Sequence, residues 1–452
     1  MQVLTNQGYP RNLSYVVRRL SGYSRNTFRL STLNQNSASN GNILTVDLPS
    51  NALVDLSTLT MFFTGTTTTT AGFANFSRNI ESCIERVEVE VNGQIISGGC
   101  QNYNQLWQLI TDSTMGADVG NRRKIMQNGT DSIVPVANQT NVTFAIQNWL
   151  GFISSVSPNI IDTSLLGNVR IRITLTSPAA LVQSVATTGA AFSFSNIFFS
   201  IDTLDISDGI FHQIHDQFLQ SGGIYELPFN NYFSFSSTGG LSQTTKFSLS
   251  TQSLNRVWAC FVPGGVYKIN AINAVAPGTV GTYIDPQANC SSYFTRLGGG
   301  SSGIATNYGD GTNNSTYTYT LNNYQFSINN VFFPNFQPSP EQAYSLMLNS
   351  YNLSGDVLGG GYPSLNTLSK WVSSFWFAEQ RFDHGSDGVA LISGIDTRGS
   401  VAQAYFQTTG SIGVGTVTGT GHGPGNQVTC LVFAQTTSTL RVGAGRQLEL
   451  VL

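Results

Sequence analysis

Hydrophobic and polar residues alternate along most of this chain in the pattern that predicts β-strands. From Val87 to Val91 every second side chain is apolar, and Val169 to Thr176 alternates just as strictly. Such a strand buries one face and presents the other to water. Similar patterns predict strands at 43–48, 59–64, 84–91, 142–146, 169–176 and 191–206, and again at 229–236, 245–250, 255–262, 374–378, 389–395, 402–407 and 427–442. We therefore predict an all-β protein.

The strand at 84–91 has a counterpart that lies 237 residues later in the chain. Both strands end in a predicted tight turn, at Asn92-Gly93 and at Asn329-Asn330. Asn and Gly are favoured there because they tolerate the left-handed backbone that such turns require.

A short helix follows each of these turns at the same spacing. Asn102 and Ser339 are the predicted N-caps, because each has a glutamine three positions later that can complete a capping box. The apolar residues of both helices recur at i, i+3, i+4 and i+7, which makes one buried stripe. These residues are Tyr103, Leu106, Trp107 and Ile110 in the first helix, and Pro340, Ala343, Tyr344 and Met347 in the second.

The spacing of 237 residues is close to half of the 452-residue chain, as a tandem duplication of one domain requires. We predict two eight-stranded β-sandwiches with short helices in the connecting loops. The threonine run at 66–70 is a predicted exposed loop, and the Gly/Asn-rich region 276–316 is a predicted surface feature. The predicted divisions are an N-terminal arm at 1–42, a first sandwich at 43–207, a linker at 208–223 and a second sandwich at 224–452.

Charged residues are scarce in this chain and make up only 10% of it, against about 25% in an average soluble protein. Hydrophobic residues reach 40%, which is ample for two cores. A net charge of −3 argues against a general nucleic-acid or membrane-surface binder. Sparse surface charge opposes self-association only weakly, which suits a protein whose faces are covered by neighbours.

The N-terminal arm is the one segment in which charge is segregated, because no acidic residue precedes Asp47. We predict that this arm faces an acidic surface such as lipid headgroups or packaged nucleic acid. The alternative is an arm that lies along a neighbouring subunit. The basic residues of the arm are Arg11, Arg18, Arg19, Arg25 and Arg29.

The cysteines and histidines do not form a recognisable metal site. No pair of cysteines has metal-type spacing, and we predict that they are reduced and mostly buried. His212 and His215 have a spacing that suits a metal on a helix, but no third ligand lies near them, so a structural or exposed pair is favoured. The five cysteines are Cys83, Cys100, Cys260, Cys290 and Cys430.

Other polar clusters also fail to match a catalytic motif. The segment from Asp383 to Asp387 lacks a nucleophile elbow and the ligand spacing of a calcium loop, so we interpret it as a turn. The glycines at 298–303 lack the Lys-Ser/Thr of a phosphate-binding loop. We therefore predict no catalytic, cofactor or metal site, and no enzyme. The sequence also lacks the apolar core of a signal peptide and any apolar run of about 20 residues, which predicts synthesis in the cytoplasm without export.

Several short segments resemble the major capsid proteins of virophages, polinton-like viruses and related large DNA viruses. The first jelly roll of that family is similar to Ile84-Glu85-Arg86-Val87-Glu88-Val89, with Asn92-Gly93 and Tyr103-Asn104. Further similar segments are 254–257, 393–399 and 439–446. The loops of this chain are shorter than is usual for the family.

This resemblance implies a double jelly roll and a structural role in an icosahedral virion. Three copies would supply six jelly rolls to a pseudo-hexagonal capsomer, and the partners would be neighbouring capsomers, penton and minor capsid proteins, and an internal membrane or genome beneath the arm. The alternative function is a tandem β-sandwich carbohydrate-binding protein, such as a lectin or adhesin. A cupin-like enzyme ranks third, because the required cluster of His and carboxylate ligands is absent from the sequence.

Overall fold

The computed structural model of the 452-residue chain describes most of both predicted sandwiches. The described residues are 2–3, 16–17, 23–77, 79–114, 137–184, 187–206, 217–238, 242–263, 268–269, 296, 306–309, 314–317, 320–351, 368, 371–372, 375–383, 394–399, 402–409, 428–443, 445 and 447–452.

Strands dominate the described residues in both halves of the chain. The first half contains β1 (Gln2–Val3), β2 (Val16–Val17), β3 (Tyr23–Ser31), β4 (Ala38–Ser39), β5 (Ile43–Asp47), β6 (Leu53–Thr68), β7 (Ala74–Asn75), β8 (Ile84–Val91), β9 (Gln94–Ser97), β10 (Val142–Ile146), β11 (Ile160–Asp162), β12 (Val169–Leu175), β13 (Val182–Ser184) and β14 (Ala191–Ile206). The second half contains β15 (Tyr225–Thr238), β16 (Ser242–Lys246), β17 (Leu254–Pro263), β18 (Lys268–Ile269), β19 (Thr306–Gly309), β20 (Asn314–Tyr317), β21 (Thr320–Ile328), β22 (Val331–Phe333), β23 (Ala378–Arg381), β24 (Ala402–Thr409), β25 (Val428–Gly443) and β26 (Gln447–Val451).

The helices among the described residues are short. They include α1 (Tyr103–Thr114), α2 (Phe152–Ser155), α3 (Thr163–Leu166) and α4 (Pro340–Ser350), with 3₁₀ turns at Ile80–Cys83 and Pro178–Ala180. Residues 217–220 and 371–372 are also helical. No helix among the described residues is both long and apolar enough to cross a membrane.

The two halves have the same strand topology. In the first half, the sheet orders are β10-β6-β14-β3 and β5-β12-β8-β9; in the second half, they are β23-β17-β25-β15 and β16-β24-β21-β22. The two sheets of each half contain eight strands between them. When these eight strands are numbered 1 to 8 in chain order, both halves contain one sheet ordered 6-3-8-1 and one ordered 2-7-4-5. This is the interleaved order of a jelly roll, and the chain therefore contains the fold twice.

The predicted duplicated segments occupy equivalent positions in these sheets. β8 and β21 are each strand 4 in this one-to-eight numbering, and each is followed by a turn, an edge strand and a helix. The turn residues Asn92, Asn329 and Asn330 have the left-handed backbone that their residue types predicted, with φ of 49°, 50° and 64°. The correspondence of strand, turn and helix is confirmed.

The helix caps are only partly as predicted. Ser339 forms a complete capping box, in which its hydroxyl accepts from the Gln342 amide at 3.3 Å while the Gln342 side chain accepts from the Ser339 amide at 2.9 Å. Asn102 instead has a φ of 58°, outside the extended region that an N-cap usually adopts. Its backbone carbonyl accepts from the Leu106 amide, so it still precedes the first turn of α1.

Each sandwich closes around an aromatic core. In the first, Phe63 packs against Phe194 with ring centroids 4.0 Å apart, and both rings are buried. In the second, Phe261 meets Phe406 edge-on at 4.7 Å, so side chains from the two facing sheets interdigitate. The cysteine prediction holds for the four described cysteines, which are buried and free: Cys83, Cys100, Cys260 and Cys430.

Several sequence predictions about element positions are wrong. The threonine run is not a loop as far as Thr68, because β6 continues through it; Thr67 is buried and its hydroxyl donates to the Ala74 carbonyl at 2.7 Å. Threonine is β-branched and fits a strand when its hydroxyl finds a partner. The strand predicted at 374–378 begins only at Ala378, and the strand predicted at 245–250 ends at Lys246. Most of the strand predicted at 389–395 lies outside the described residues and stays a prediction.

The arm predicted at 1–42 is shorter than expected. β3 pairs with β14 from Ser31 opposite Phe198 to Tyr23 opposite Ile206, so residues 23–31 are the edge strand of the first sandwich. Arg25 and Arg29 make this segment more polar than a typical strand, so its sequence did not predict one. Of the predicted linker, 217–223 are described, and Phe218 packs on Tyr225 with ring centroids 4.7 Å apart.

We expect Trp107→Ala to lower the free energy of unfolding by about 3–5 kcal/mol, because the ring is 2% exposed and Nε1 donates to the Asn148 carbonyl at 2.9 Å. Ser339→Ala should cost only about 1 kcal/mol, since it removes one cap at a helix surface. Denaturant titration of both variants checks the difference. Equal losses would contradict the assignment of Trp107 to the core.

Candidate functional site

The described residues contain no group of three or more His, Cys, Asp or Glu side chains that could hold a metal ion. His212 and His215 lie outside the described residues. Of the polar cluster that begins at Asp383, only that first residue is described, and its carboxylate pairs with Arg381 at 2.7 Å. The features that could carry a function are therefore the surfaces of the two sandwiches and the contacts between them.

The five arginines of the predicted arm are not brought together as a single described cluster. Arg11, Arg18 and Arg19 lie outside the described residues. Arg25 is on β3, where its guanidinium pairs with Asp202 at 2.6 Å and approaches Asp55 at 3.7 Å. With Thr27, it holds the pKa of Asp202 below its usual range; the hydroxyl of Thr27 contributes most.

Arg29 also contacts the sheet rather than leaving it. Its guanidinium carbon lies 4.2 Å from the centroid of the Phe198 ring, which stacks in turn on Phe62 with centroids 5.1 Å apart. Arginine over an aromatic face is a favourable cation–π contact. Two of the five arginines therefore hold the edge strand in place.

The most extensive feature that the sequence did not reveal is a contact between the two sandwiches, which we call the seam. We define it as the packing of residues 96–101, α1 and α2 of the first sandwich on β15 of the second. The Ser97 hydroxyl donates to the Asn231 side-chain oxygen at 3.2 Å, and the Gln101 amide donates to the Ser234 hydroxyl at 2.8 Å. β15 is an edge strand, so the seam covers an edge that would otherwise be open to pairing.

A glycine permits the closest approach within the seam. A Cβ atom at Gly99 would lie 2.4 Å from the Phe233 ring, well inside van der Waals contact. The Phe233 ring therefore packs directly against the backbone of Gly99. The sequence signal for this contact is Gly98-Gly99, which directly follows β9, but no nearby residue identifies its partner.

The far end of the seam is formed by α2. Phe152 meets Phe229 of β15 edge-on with ring centroids 5.0 Å apart, and both rings are buried. The Asn230 amide donates to the Ser155 hydroxyl at 2.9 Å, and the Ser157 amide donates to the Pro228 carbonyl at 3.0 Å. Polar backbone groups of the covered strand are thus paired at the seam, as burial requires.

Helix α1 belongs to both cores at once. Tyr103 and Trp107 lie in the core of the first sandwich, while Leu106 and Leu109 lie in the core of the second, and all four are buried. An amphipathic helix normally buries one side and exposes the other to water. In α1, two sides are buried, one in each core. The helix therefore contributes buried side chains to both cores.

An apolar groove of about 410 Å³ opens where the ends of the two sandwiches meet. Leu53 and Leu204 of the first sandwich face Tyr225 and Leu227 of the second across it. Arg25, near the beginning of β3, is the register partner of Leu204. The groove and the point where the chain enters β3 therefore lie at the same end of the molecule.

One buried ionisable group lies on β23, at the opposite edge of its sheet from β15. Glu379 on β23 is 4% exposed, and burial raises the pKa of its carboxyl to about 7, although the Arg256 guanidinium at 3.3 Å and the Ser350 hydroxyl at 2.7 Å oppose the shift. The Arg256 guanidinium also stacks on the Tyr351 ring at 4.8 Å. This cluster attaches the end of α4 to the sheet.

The sequence matches no protein-family model, and no curated protein is significantly similar to it. Solved structures, by contrast, match it along almost its whole length. A chain of the PBCV-1 virus capsid has a TM-score of 0.62 and 13% identity, covering 98% of this chain and 99% of that one.

Two further matches are of the same kind. VP54 of PBCV-1, fitted into a reconstruction of the virophage Sputnik, has a TM-score of 0.61 and 13% identity, over 98% of this chain and 99% of that one. A chain of the Sputnik virophage has a TM-score of 0.54 and 11% identity, over 100% of this chain and 92% of that one. This chain has the double jelly-roll fold. At such low identity the double jelly roll is what the likeness establishes.

We expect Gly99→Ala to destabilise the double jelly roll by about 1–3 kcal/mol, because the added methyl group would overlap the Phe233 ring. Gly443→Ala is the matched control, since a Cβ there would meet no atom closer than 4.0 Å. Thermal unfolding of the two variants checks the difference. A Gly99→Ala variant as stable as wild type would show that the Phe233 ring moves aside without cost, which would contradict this prediction.

A second prediction concerns pH. Because the pKa of Glu379 is raised by burial, its protonated form favours the folded state; this contribution is complete below about pH 4.5 and is lost as pH rises through about 7. We expect Glu379→Gln to remove a loss of roughly 3 kcal/mol between pH 5 and pH 8. Denaturant titrations at both pH values check this, with exposed Glu449→Gln as control. The same pH dependence in wild type and Glu379→Gln would refute it.

Proposed function

We propose that this chain is the major capsid protein of an icosahedral DNA virus, with a structural and non-catalytic role. The observation that carries the proposal is the fold: two topologically equivalent jelly rolls in one chain, similar over nearly the whole length to chains of the PBCV-1 capsid and the Sputnik virophage. The low content of charged residues, 10%, supports a protein whose surfaces are covered by neighbours.

The proposed assembly unit is a homotrimer. Three copies bring six similar jelly rolls around a threefold axis, so one capsomer presents six nearly equivalent sides to its neighbours in the shell. Its further partners would be penton and minor capsid proteins.

The proposed inner face is the end that carries the apolar groove and the entry into β3. The segment before β3 retains Arg11, Arg18 and Arg19, with no acidic residue among them. Its proposed partner is an anionic surface: internal membrane lipid, genome phosphates or an acidic minor protein. The β19–β20 hairpin at the end of the region 276–316 is the proposed outer surface. Arg296 of the same region is buried and contacts Phe375, so the surface prediction does not hold for the whole region.

We expect the purified chain to form trimers and, in infected or expressing cells, closed shells with hexagonal capsomers. Electron microscopy of the particles, with antibody labelling of a tag inserted near Gly309, checks both the shell and its outer face. Glycan binding by a chain that never builds shells would favour the carbohydrate-binding alternative instead.

Deletion of residues 1–22 should leave trimers with a nearly unchanged melting temperature, because β3 and its ion pair at Arg25 are retained. The truncation should impair shell closure or attachment to the material beneath. Replacing Arg11, Arg18 and Arg19 by Gln in the full chain is the companion variant that tests charge alone. Failure of the truncated chain to trimerise at any salt concentration would place the arm in the subunit interface.

A further inference from the structure

The apolar groove at the ends of the two sandwiches has the size of a small-ligand site. Its volume of about 410 Å³ lies within the range of roughly 300–1,000 Å³ that is usual for small-molecule sites in proteins. The buried part of its lining is formed by Ile161, Leu166 and Val442. The first two belong to the first sandwich and the third to the second. Anything that fills the groove therefore contacts both sandwiches.

The walls of the groove are apolar side chains that keep partial contact with water. Leu53, Leu165 and Leu204 of the first sandwich and Leu227 of the second are each half-buried. Ile160 is 41% exposed. Water beside such a lining finds few hydrogen-bond partners, and removing apolar surface from water is the favourable step in binding an apolar ligand. The groove therefore favours an alkyl chain.

The charged residues in the described lining of the groove are both acidic, namely Asp162 and Glu226. Asp162 is held in position by α3, because its Oδ1 accepts from the Ser164 amide at 2.8 Å. Burial and, to a smaller extent, the nearby Asp162 carboxylate raise the pKa of the Tyr225 phenol, another group of the lining. The polar part of the lining thus presents a fixed negative charge beside an apolar surface.

The surrounding residues do not neutralise this charge. Two arginines lie at this end among the described residues, and each faces two carboxylates at 3.7 Å or less. These contacts are Arg25 with Asp55 and Asp202, and Arg441 with Glu226 and Glu449. Negative charge is therefore in excess around the groove. A cationic head group would be attracted there and an anionic one repelled.

We propose that the apolar groove binds a single-chain amphiphile whose head group is a protonated amine. The alkyl chain lies between α3 and β15, along Leu165 and Leu227, and the ammonium group binds the Asp162 carboxylate. The volume of the groove admits one alkyl chain of medium length, and not the paired chains of a bilayer lipid. This assignment goes beyond the proposed function and does not depend on it, since the whole lining lies within one copy of the chain.

A ligand in this position would stabilise the two sandwiches in their fixed relation. β11 and α3 supply one side of the groove, and β15 and β25 supply the other. A ligand that binds only the folded chain raises the free energy of unfolding as its concentration exceeds Kd. The bound amphiphile therefore adds to the contacts that the seam already makes between the sandwiches.

The first test compares two probes of equal chain length, n-decylamine and n-decanoate, each kept below the concentration at which it forms micelles. Calorimetric titration of the full chain near neutral pH should show one decylamine bound per chain, and decylamine should raise the melting temperature. Decanoate should bind at least about tenfold more weakly, because its carboxylate is repelled by Asp162. Equal affinity for the two probes would overturn the assignment of the head group.

Substitution of Asp162 tests the head-group contact separately. Asp162→Asn should weaken decylamine binding by about tenfold, because it removes a charge-assisted hydrogen bond while asparagine still caps α3. Asp396→Asn is the matched control, since this half-exposed carboxylate pairs with Arg398 and is not part of the groove lining. Equal losses of affinity in both variants, or no loss in Asp162→Asn, would refute the role of Asp162.

Filling the groove tests the position of the alkyl chain. Leu165→Trp places a larger side chain in the groove from a half-buried position, so it should abolish decylamine binding. Circular dichroism checks that the fold is retained, and Leu227→Trp is the second variant should Leu165→Trp not fold. Decylamine binding that persists in a folded filled variant would show adsorption at another surface and would overturn the proposal.

The N-terminal segment of the chain is the competing occupant, because it combines apolar residues with three arginines and precedes β3, which begins at this end. Deletion of residues 1–22 distinguishes the two occupants. The proposal predicts that wild type and the truncated chain bind decylamine with the same affinity. Binding by the truncated chain alone would show that the segment fills the groove, and the amphiphile assignment would then be wrong.

Discussion

Covering the edge strand β15 is the constraint on which the rest of the structure depends. An edge strand exposes a row of backbone donors and acceptors, and burying it is stable only if those groups find partners. Here the Ser155 hydroxyl, the Ser157 amide and Gly99 provide the partners and the close approach. The two jelly rolls are therefore held at one fixed relation, rather than joined by a flexible connection of the kind common between domains.

The sequence predicted best those elements that local interactions decide. β10 and β14 begin and end where the alternation predicted, at Val142–Ile146 and Ala191–Ile206, because side-chain alternation and strand burial have the same period. The capping box at Ser339 involves residues only three positions apart, so its geometry also follows from sequence.

The seam was missed because its causes are distant in sequence. Gln105 and Gln108 lie outside the predicted apolar stripe of α1, on the side expected to face solvent, yet both are buried. Gln108 accepts from the Asn79 side-chain amide at 2.9 Å, and the neighbouring Leu106 and Leu109 join the core of a second sandwich that begins more than a hundred residues later. The edge strand β3 was missed for a related reason: its arginines suggested a charged arm, but Asp202 on the neighbouring strand neutralises Arg25. Pairing partners far along the chain decide such positions.

All four cysteines among the described residues are sealed in the two cores. Burial raises the pKa of Cys83, Cys100, Cys260 and Cys430 to about 12, so almost no thiolate is present near neutral pH. Thiolate is the reactive form. These four thiols should therefore take no part in disulfide exchange while the two cores stay closed, and the rate at which they become reactive would report how often the cores open.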